Sequence, residues 1–212
     1  MMSKSSQRLR RVLLVSSICL LLVSLAGFVW LHLLLKQRIS ANSRQEALPI
    51  YSYLPSFVLT ERNGRSLSLN DMRGKVWIAD FFFTTCPGPC PRMSARMADL
   101  QRSLANNAET RLVSITVDPS TDTPAVLSDY AIRFHAQSDR WYFLTGDKSD
   151  IHRLAKEGFL VGGVDDVLLH STRFMLVDRM GRLRGYYDST DQESLAELLA
   201  DAHLLLKEPN PL

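Results

Sequence analysis

Cysteine is scarce in this 212-residue chain: there are three, Cys19, Cys86 and Cys90, and only the last two lie outside an apolar N-terminal run. Two thiols exclude a four-thiolate zinc site or iron–sulfur cluster built within one chain. A dominant charge is lacking as well, since 25 basic and 22 acidic residues are mixed along the sequence for a net +3. Beyond the N-terminus no basic tract carries interleaved aromatics, so nothing supports nucleic-acid binding. Internal repeats and low-complexity segments are missing too. What remains is a chain with 46% hydrophobic residues, ample for a packed core.

Residues 12–35 contain no charged side chain. A membrane-spanning helix needs about 20 such residues, whereas the apolar region of a cleaved signal peptide is about 7–15. The run therefore reads as an anchor, with residues 1–11 as a cytoplasmic N-terminus. Lys4, Arg8, Arg10 and Arg11 crowd its leading side more densely than Lys36, Arg38 and Arg44 crowd the other. That asymmetry places the N-terminus in the cytoplasm and the rest of the chain in the periplasm of a bacterial inner membrane. Cys19 is an apolar filler of the span, and His32 sits near its outer end.

Residues 36–54 are polar and irregular and read as a tether. Residues 55–212 are a comfortable size for one core. There, residues 57–60 and 65–68 flank Asn63-Gly64 as a hairpin. Residues 75–83 form a nearly continuous apolar strand, as expected for one covered on both faces. A helical pattern over 94–105, a strand over 111–117 and a helix over 124–135 follow, the last with Thr123 as cap and Pro124 in the first turn. Residues 141–144 form a strand and 149–157 a short helix. Residues 171–177 and 183–187 form a second hairpin, and 192–207 a closing amphipathic helix. This α/β order fits a thioredoxin-like fold with an added N-terminal β-hairpin.

The chemistry gathers where the apolar strand ends. Phe83-Thr84-Thr85-Cys86-Pro87-Gly88-Pro89-Cys90-Pro91 puts two thiols in a tightly restricted turn. With the helix starting near Pro89, both sulfurs lie at its positive end, which favours thiolate. A thiolate is both the better nucleophile and the metal-binding form. The residues alone thus leave a redox pair and a soft-metal site both open. Cys-x-x-x-Cys is one residue wider than the Cys-x-x-Cys of thioredoxin-type enzymes, and the wider turn suits two sulfurs on one ion. A third ligand would be histidine, methionine or carboxylate. His135, His152 and His203 read as surface or helix-end residues. His170 stands apart because it leads directly into the strand over 171–177. Asp118 and Asp122 lie in a strand-end and helix-entry segment, Val117-Asp118-Pro119-Ser120-Thr121-Asp122-Thr123-Pro124.

Three motifs together resemble the Sco/SenC family: the cysteine turn, the Val117–Pro124 segment, and His170-Ser171-Thr172 followed by Phe174-Met175-Leu176-Val177-Asp178. The resemblance covers roughly residues 55–206. It implies a membrane-anchored, thioredoxin-like copper chaperone that assists assembly of the copper centre of cytochrome c oxidase. Its partners would be the copper-bearing oxidase subunit or another copper chaperone. Cys86, Cys90 and His170 match the family's copper ligands, a set suited to Cu(I) and able to hold Cu(II). Asp118 is the candidate for a carboxylate supporting them. The alternative is a periplasmic thiol–disulfide oxidoreductase or redox sensor, with Cys86 and Cys90 forming a disulfide. No proline stands where thioredoxins place a cis-proline to receive substrate, just before residue 171. Gly88-Pro89 and Leu169 depart from the family's usual residues; at Leu169 an aspartate is common, so a negative charge near the site is lost.

Overall fold

A computed structural model describes residues 20–32, 48–162 and 172–210. The chain divides into two compact units, Met1–Ala47 and Leu48–Leu212. In the first, residues 20–32 are helical (α1). Its Ser24 hydroxyl donates to the Leu20 carbonyl at 2.7 Å, so the polar group is satisfied within the helix. Among the described residues no helix is long and apolar enough to cross a membrane; the rest of the expected span, 12–19 and 33–35, lies outside them.

The second unit is built on one eight-stranded sheet. Its strands are β1 (Ser52–Tyr53), β2 (Val58–Glu61), β3 (Ser66–Ser68), β4 (Val76–Phe82), β5 (Thr110–Thr116), β6 (Trp141–Thr145), β7 (Arg173–Val177) and β8 (Arg182–Asp188). The spatial order is β1-β8-β7-β4-β5-β6-β2-β3. β4, β5 and β6 are parallel, joined by crossovers through α2 (Cys90–Ser103) and α3 (Pro124–Arg133). β7 joins β4 antiparallel and carries β8. This is the thioredoxin-like α/β arrangement expected from the element order.

Strand β4 explains why the sheet is central. All seven of its residues are buried, and its pleat splits them between two cores. Val76, Ile78 and Phe82 face α2, α3 and the C-terminal helix α5 (Gln192–Lys207), which contribute Met93, Met97, Leu127, Tyr130, Leu198 and Leu205. Trp77, Ala79 and Phe81 face the other way, toward Ile151, Leu154 and Phe159. A helix on each face is what a continuous apolar strand requires.

The added hairpin is present. β2 pairs with β3 across Asn63-Gly64, with Gly64 at φ +85°, and β2 docks on β6 through Thr60 and Thr145. Thr123 caps α3 by accepting from the Val126 N–H, with Pro124 in the first turn. The expected helix over 149–157 is two pieces. α4 (Lys148–Arg153) runs into a π-helical turn, Leu154–Gly158. That turn brings Gly158 against the incoming chain so closely that a Cβ would lie 2.9 Å from Leu54 and Pro55.

The tether boundary is corrected by the same contact. Residues 48–54 belong to the folded unit, not to a linker ending at 54. β1 pairs with β8, Leu54 is buried, and Ser52 donates to the Gly158 carbonyl. The polar residues 36–47 ahead of it disguised this stretch, which is itself mostly apolar. Its partners are β8 and the turn before Phe159, more than a hundred residues away, and nothing local marks them.

Candidate functional site

The candidate site grows from the end of β4. After Phe82 the chain turns, with the Cys86 N–H donating to the Phe83 carbonyl at 3.3 Å. α2 then begins at Cys90 with Pro89 as its cap residue. Pro89 and Pro91 sit where an amide donor would have no intrahelical partner, so the helix start tolerates both. Cys86 therefore lies just before the helix and Cys90 in its first turn. Both thiols are free and nearly buried, at 7% and 3% exposure.

The two sulfurs are unequal. Burial works to raise the Cys86 pKa, but it is outweighed by hydrogen bonds from the Cys90 thiol and from the Cys90 and Gly88 N–H groups, and the net shift is downward. Cys90 is pushed up to about 12, by burial first, then by donating to Cys86, and then by the negative charges of Cys86 and Asp80. Each thiol shifts the pKa of the other, so the two sulfurs are neighbours across the turn. Cys86 is the sulfur poised to carry negative charge.

Beneath Cys90 lies a polar pocket of side chains that sequence reasoning missed. Asp80, in the middle of β4, is fully buried, and neither of its oxygens has a hydrogen-bond partner in good geometry among the described residues. Burial raises its pKa to about 7, while the loosely placed Ser114 hydroxyl pulls the other way. That hydroxyl accepts from Trp141 Nε1 at 2.9 Å, which leaves its own hydrogen free to point at the carboxylate. Tyr130 of α3, bonded to Ser94 of α2 at 2.9 Å, completes the surroundings. Its pKa is raised chiefly by burial, with the charges of Asp80 and Cys90 adding to it. The signal was visible in Lys75-Val76-Trp77-Ile78-Ala79-Asp80-Phe81-Phe82-Phe83, where one carboxylate interrupts an otherwise apolar strand.

Of the two aspartates weighed beside the cysteines, Asp122 is the one tied to their turn. It is fully buried and accepts from the Thr84 N–H at 3.1 Å, the Thr84 hydroxyl at 2.5 Å and the Thr116 hydroxyl. Asp118 is half-buried and accepts from Ser120 at 2.6 Å within its own turn. Hydrogen bonds from Ser120 and Thr121, with the Lys148 charge adding, hold its pKa below the usual range.

His170 lies outside the described residues, as does Leu169. Among the described residues no cluster of three or more histidine, cysteine, aspartate or glutamate side chains could hold a metal ion. His135 follows α3 with φ +54°, and its carbonyl accepts from Gln101. His203 bonds through Nδ1 with the Leu199 carbonyl at 2.7 Å. Both act as local structural groups. The structure thus brings Cys86 and Cys90 together and adds Asp80, Thr84 and Asp122 to their neighbourhood.

Comparison with known proteins points to one family. The family model described as SCO1/SenC matches residues 46–204. The chain is 31% identical over 182 residues to a SCO1 protein homolog of Bacillus subtilis, spanning 83% of this chain and 92% of that one. It is 33% identical over 155 residues to a putative copper-binding protein of Stutzerimonas stutzeri, spanning 66% of this chain and 71% of that protein. Among solved structures it is similar to a member of the Sco family of cytochrome c oxidase assembly proteins in which a disulfide switch was identified. There the TM-score is 0.68 at 30% identity, over 77% of this chain and 100% of that one.

Proposed function

The chain belongs to the SCO1/SenC family, and from that premise we propose that it is a copper chaperone for assembly of the cytochrome c oxidase copper centre. In this reading Cys86, Cys90 and His170 hold one copper ion. An N-terminal span over residues 12–35 tethers the domain to the inner membrane, with the site in the periplasm. The observation that carries the reading is the pair of adjacent free thiols at the start of α2. Two thiolates suit Cu(I), and one imidazole completes a three-donor set. The domain has too few cysteines for a competing four-thiolate site.

Copper titration of the purified full-length protein under reducing conditions tests this. About one copper per chain is expected, lost in Cys86→Ser and Cys90→Ser and weakened strongly in His170→Ala. Equal binding by His170→Ala would remove the histidine from the ligand set. Orientation is tested separately, by protease access to the domain in spheroplasts; protection there would overturn the periplasmic assignment.

A second reading, thiol–disulfide exchange, is favoured by the inequality of the sulfurs. A Cys86 held below its ordinary pKa beside a Cys90 held above it resembles an attacking thiol backed by a resolving one. Attack by the Cys86 thiolate on a partner disulfide would form a mixed disulfide and release one partner thiolate. Cys90 would then displace the second partner sulfur, leaving Cys86–Cys90 oxidised and the partner reduced. A Cys90→Ser variant should trap that mixed disulfide; an empty trap counts against exchange.

A further inference from the structure

The copper reading uses Cys86, Cys90 and His170 and leaves unexplained a carboxylate that the fold takes wholly out of water. Asp122 is fully buried. A carboxylate so placed is strongly disfavoured unless its oxygens are well bonded. Here three donors converge on it, and two belong to one residue, Thr84, two positions before Cys86. The third is Thr116, the last residue of β5, which also accepts from the Asp118 N–H at 3.0 Å. The carboxylate is itself held still: the Asp122 N–H donates to the Asp118 carbonyl at 2.9 Å, and the next residue, Thr123, caps α3.

We propose that Asp122 is a positioning residue for the metal-binding turn, latching Thr84 to the β5–α3 connection so that the Cys86 and Cys90 sulfurs face one ion. The turn would otherwise depend on the Cys86-to-Phe83 backbone bond and on α2. Its prolines restrict the turn internally but do not attach it to the sheet. Asp122 makes that attachment, to both the backbone and the side chain of Thr84, which fixes the direction in which the chain leaves β4. Simple space-filling would not need an acceptor at this point. An apolar residue of similar size would leave the Thr84 N–H and two hydroxyls unsatisfied.

The inference rests on the copper reading for its consequence, and the test separates the two. Thr84→Val keeps the branched shape and removes only the hydroxyl, Thr84→Ser restores a donor, and Asp122→Asn and Asp122→Ala weaken the latch from the other side. Arg140→Met is the control for lost stability. Arg140 bonds the Leu104 and Asn107 carbonyls at the opposite end of β4 and β5, away from the cysteines. Two kinds of readout are taken on full-length protein: the release rate and spectrum of bound copper, and the alkylation rate of Cys86 in copper-free reduced protein.

Thr84→Val and Asp122→Ala should release copper roughly ten-fold faster or more, as loss of a ligand-orienting contact does in other metal sites. They should also shift the Cu(II)–thiolate absorption and speed Cys86 alkylation several-fold. Thr84→Ser should return both readouts toward wild type, and Arg140→Met should leave them unchanged at a comparable loss of stability. Wild-type copper release, spectrum and alkylation in Thr84→Val and Asp122→Ala would overturn the latch. So would an equal effect of Arg140→Met. A wild-type protein that binds no copper would sink the chaperone reading alone, because the alkylation arm still decides the latch.

Discussion

Two buried carboxylates of the central sheet, Asp178 and Asp80, are treated in opposite ways. Where β7 ends, Asp178 accepts from Arg182 Nε at 2.6 Å, Arg184 Nη1 at 2.7 Å, and the Met180 and Arg182 N–H groups at 3.0 Å. Arg184 in turn reaches Glu208 and the Leu48 carbonyl. Burial works against its charge, but its bonds to Asp178 and Glu208 more than offset that, and its pKa rises. On β4, the strand that delivers the cysteines, Asp80 is equally buried and has no such partners. Asp178 and its arginines hold the entering chain to the domain. Asp80 instead stands unpaired near Cys90 and opposes its ionisation, the pattern expected of a functional site.

Removing the well-paired carboxylate should cost most. Asp178→Ala leaves Arg184 buried without its principal partner, and loss of one member of a buried pair costs about 3–5 kcal/mol. Urea unfolding measures it, and Cys86 alkylation in the folded protein should stay at the wild-type rate. A loss below about 1 kcal/mol would erase the contrast between the two carboxylates.

Asp80 should behave in the reverse sense. Its folded pKa, about 7, lies above the unfolded value near 3.9. Between those values the folded protein keeps a proton that the unfolded chain has lost, so stability falls as pH rises from about 4 through 7 and then levels off. From pH 5 to pH 8 that loss is roughly 2–3 kcal/mol. Asp80→Asn should remove this slope and make the protein more stable than wild type at pH 8, read by urea unfolding at both pH values. An unchanged slope would mean that Asp80 is not the group responsible.

The smallest effect belongs to a contact that is fully satisfied although it lies next to Asp122. Thr123→Ala deletes the cap of α3 and should cost about 1 kcal/mol. Because Asp122 keeps its own bonds to Thr84 and Thr116, copper release should move far less than in Asp122→Ala. A large change in copper release would show that the latch depends on the helix start as much as on the carboxylate.

Much of this was legible beforehand, for local reasons. The Asn63-Gly64 turn, the Thr123-Pro124 helix start, the continuous apolar run of β4 and the leucine spacing of α5 each announce an element through their own neighbours. The cysteine turn was equally plain, since two thiols among three prolines have few structural uses. Two features were not legible. The expectation for a supporting carboxylate fell on Asp118, and only folding shows that Asp122, in the same segment, is the one that reaches Thr84. The domain's start at Leu48 was hidden for the same reason, because its partners are on β8 and beside Gly158.

The amino-acid sequence by itself determined the kinds and order of elements, the Cys86–Cys90 pair and the family resemblance, because periodicity, turn chemistry and motif spacing act over a few residues. Tertiary structure alone decided that Cys86 and Cys90 are electrostatically unequal, that Asp80 is stranded beneath them, and that Asp122 holds their turn. Those properties depend on burial and on contacts across the sheet, such as the one joining Thr84 to a residue 38 positions away. Desolvation and hydrogen bonding exist only once distant segments have closed around a group.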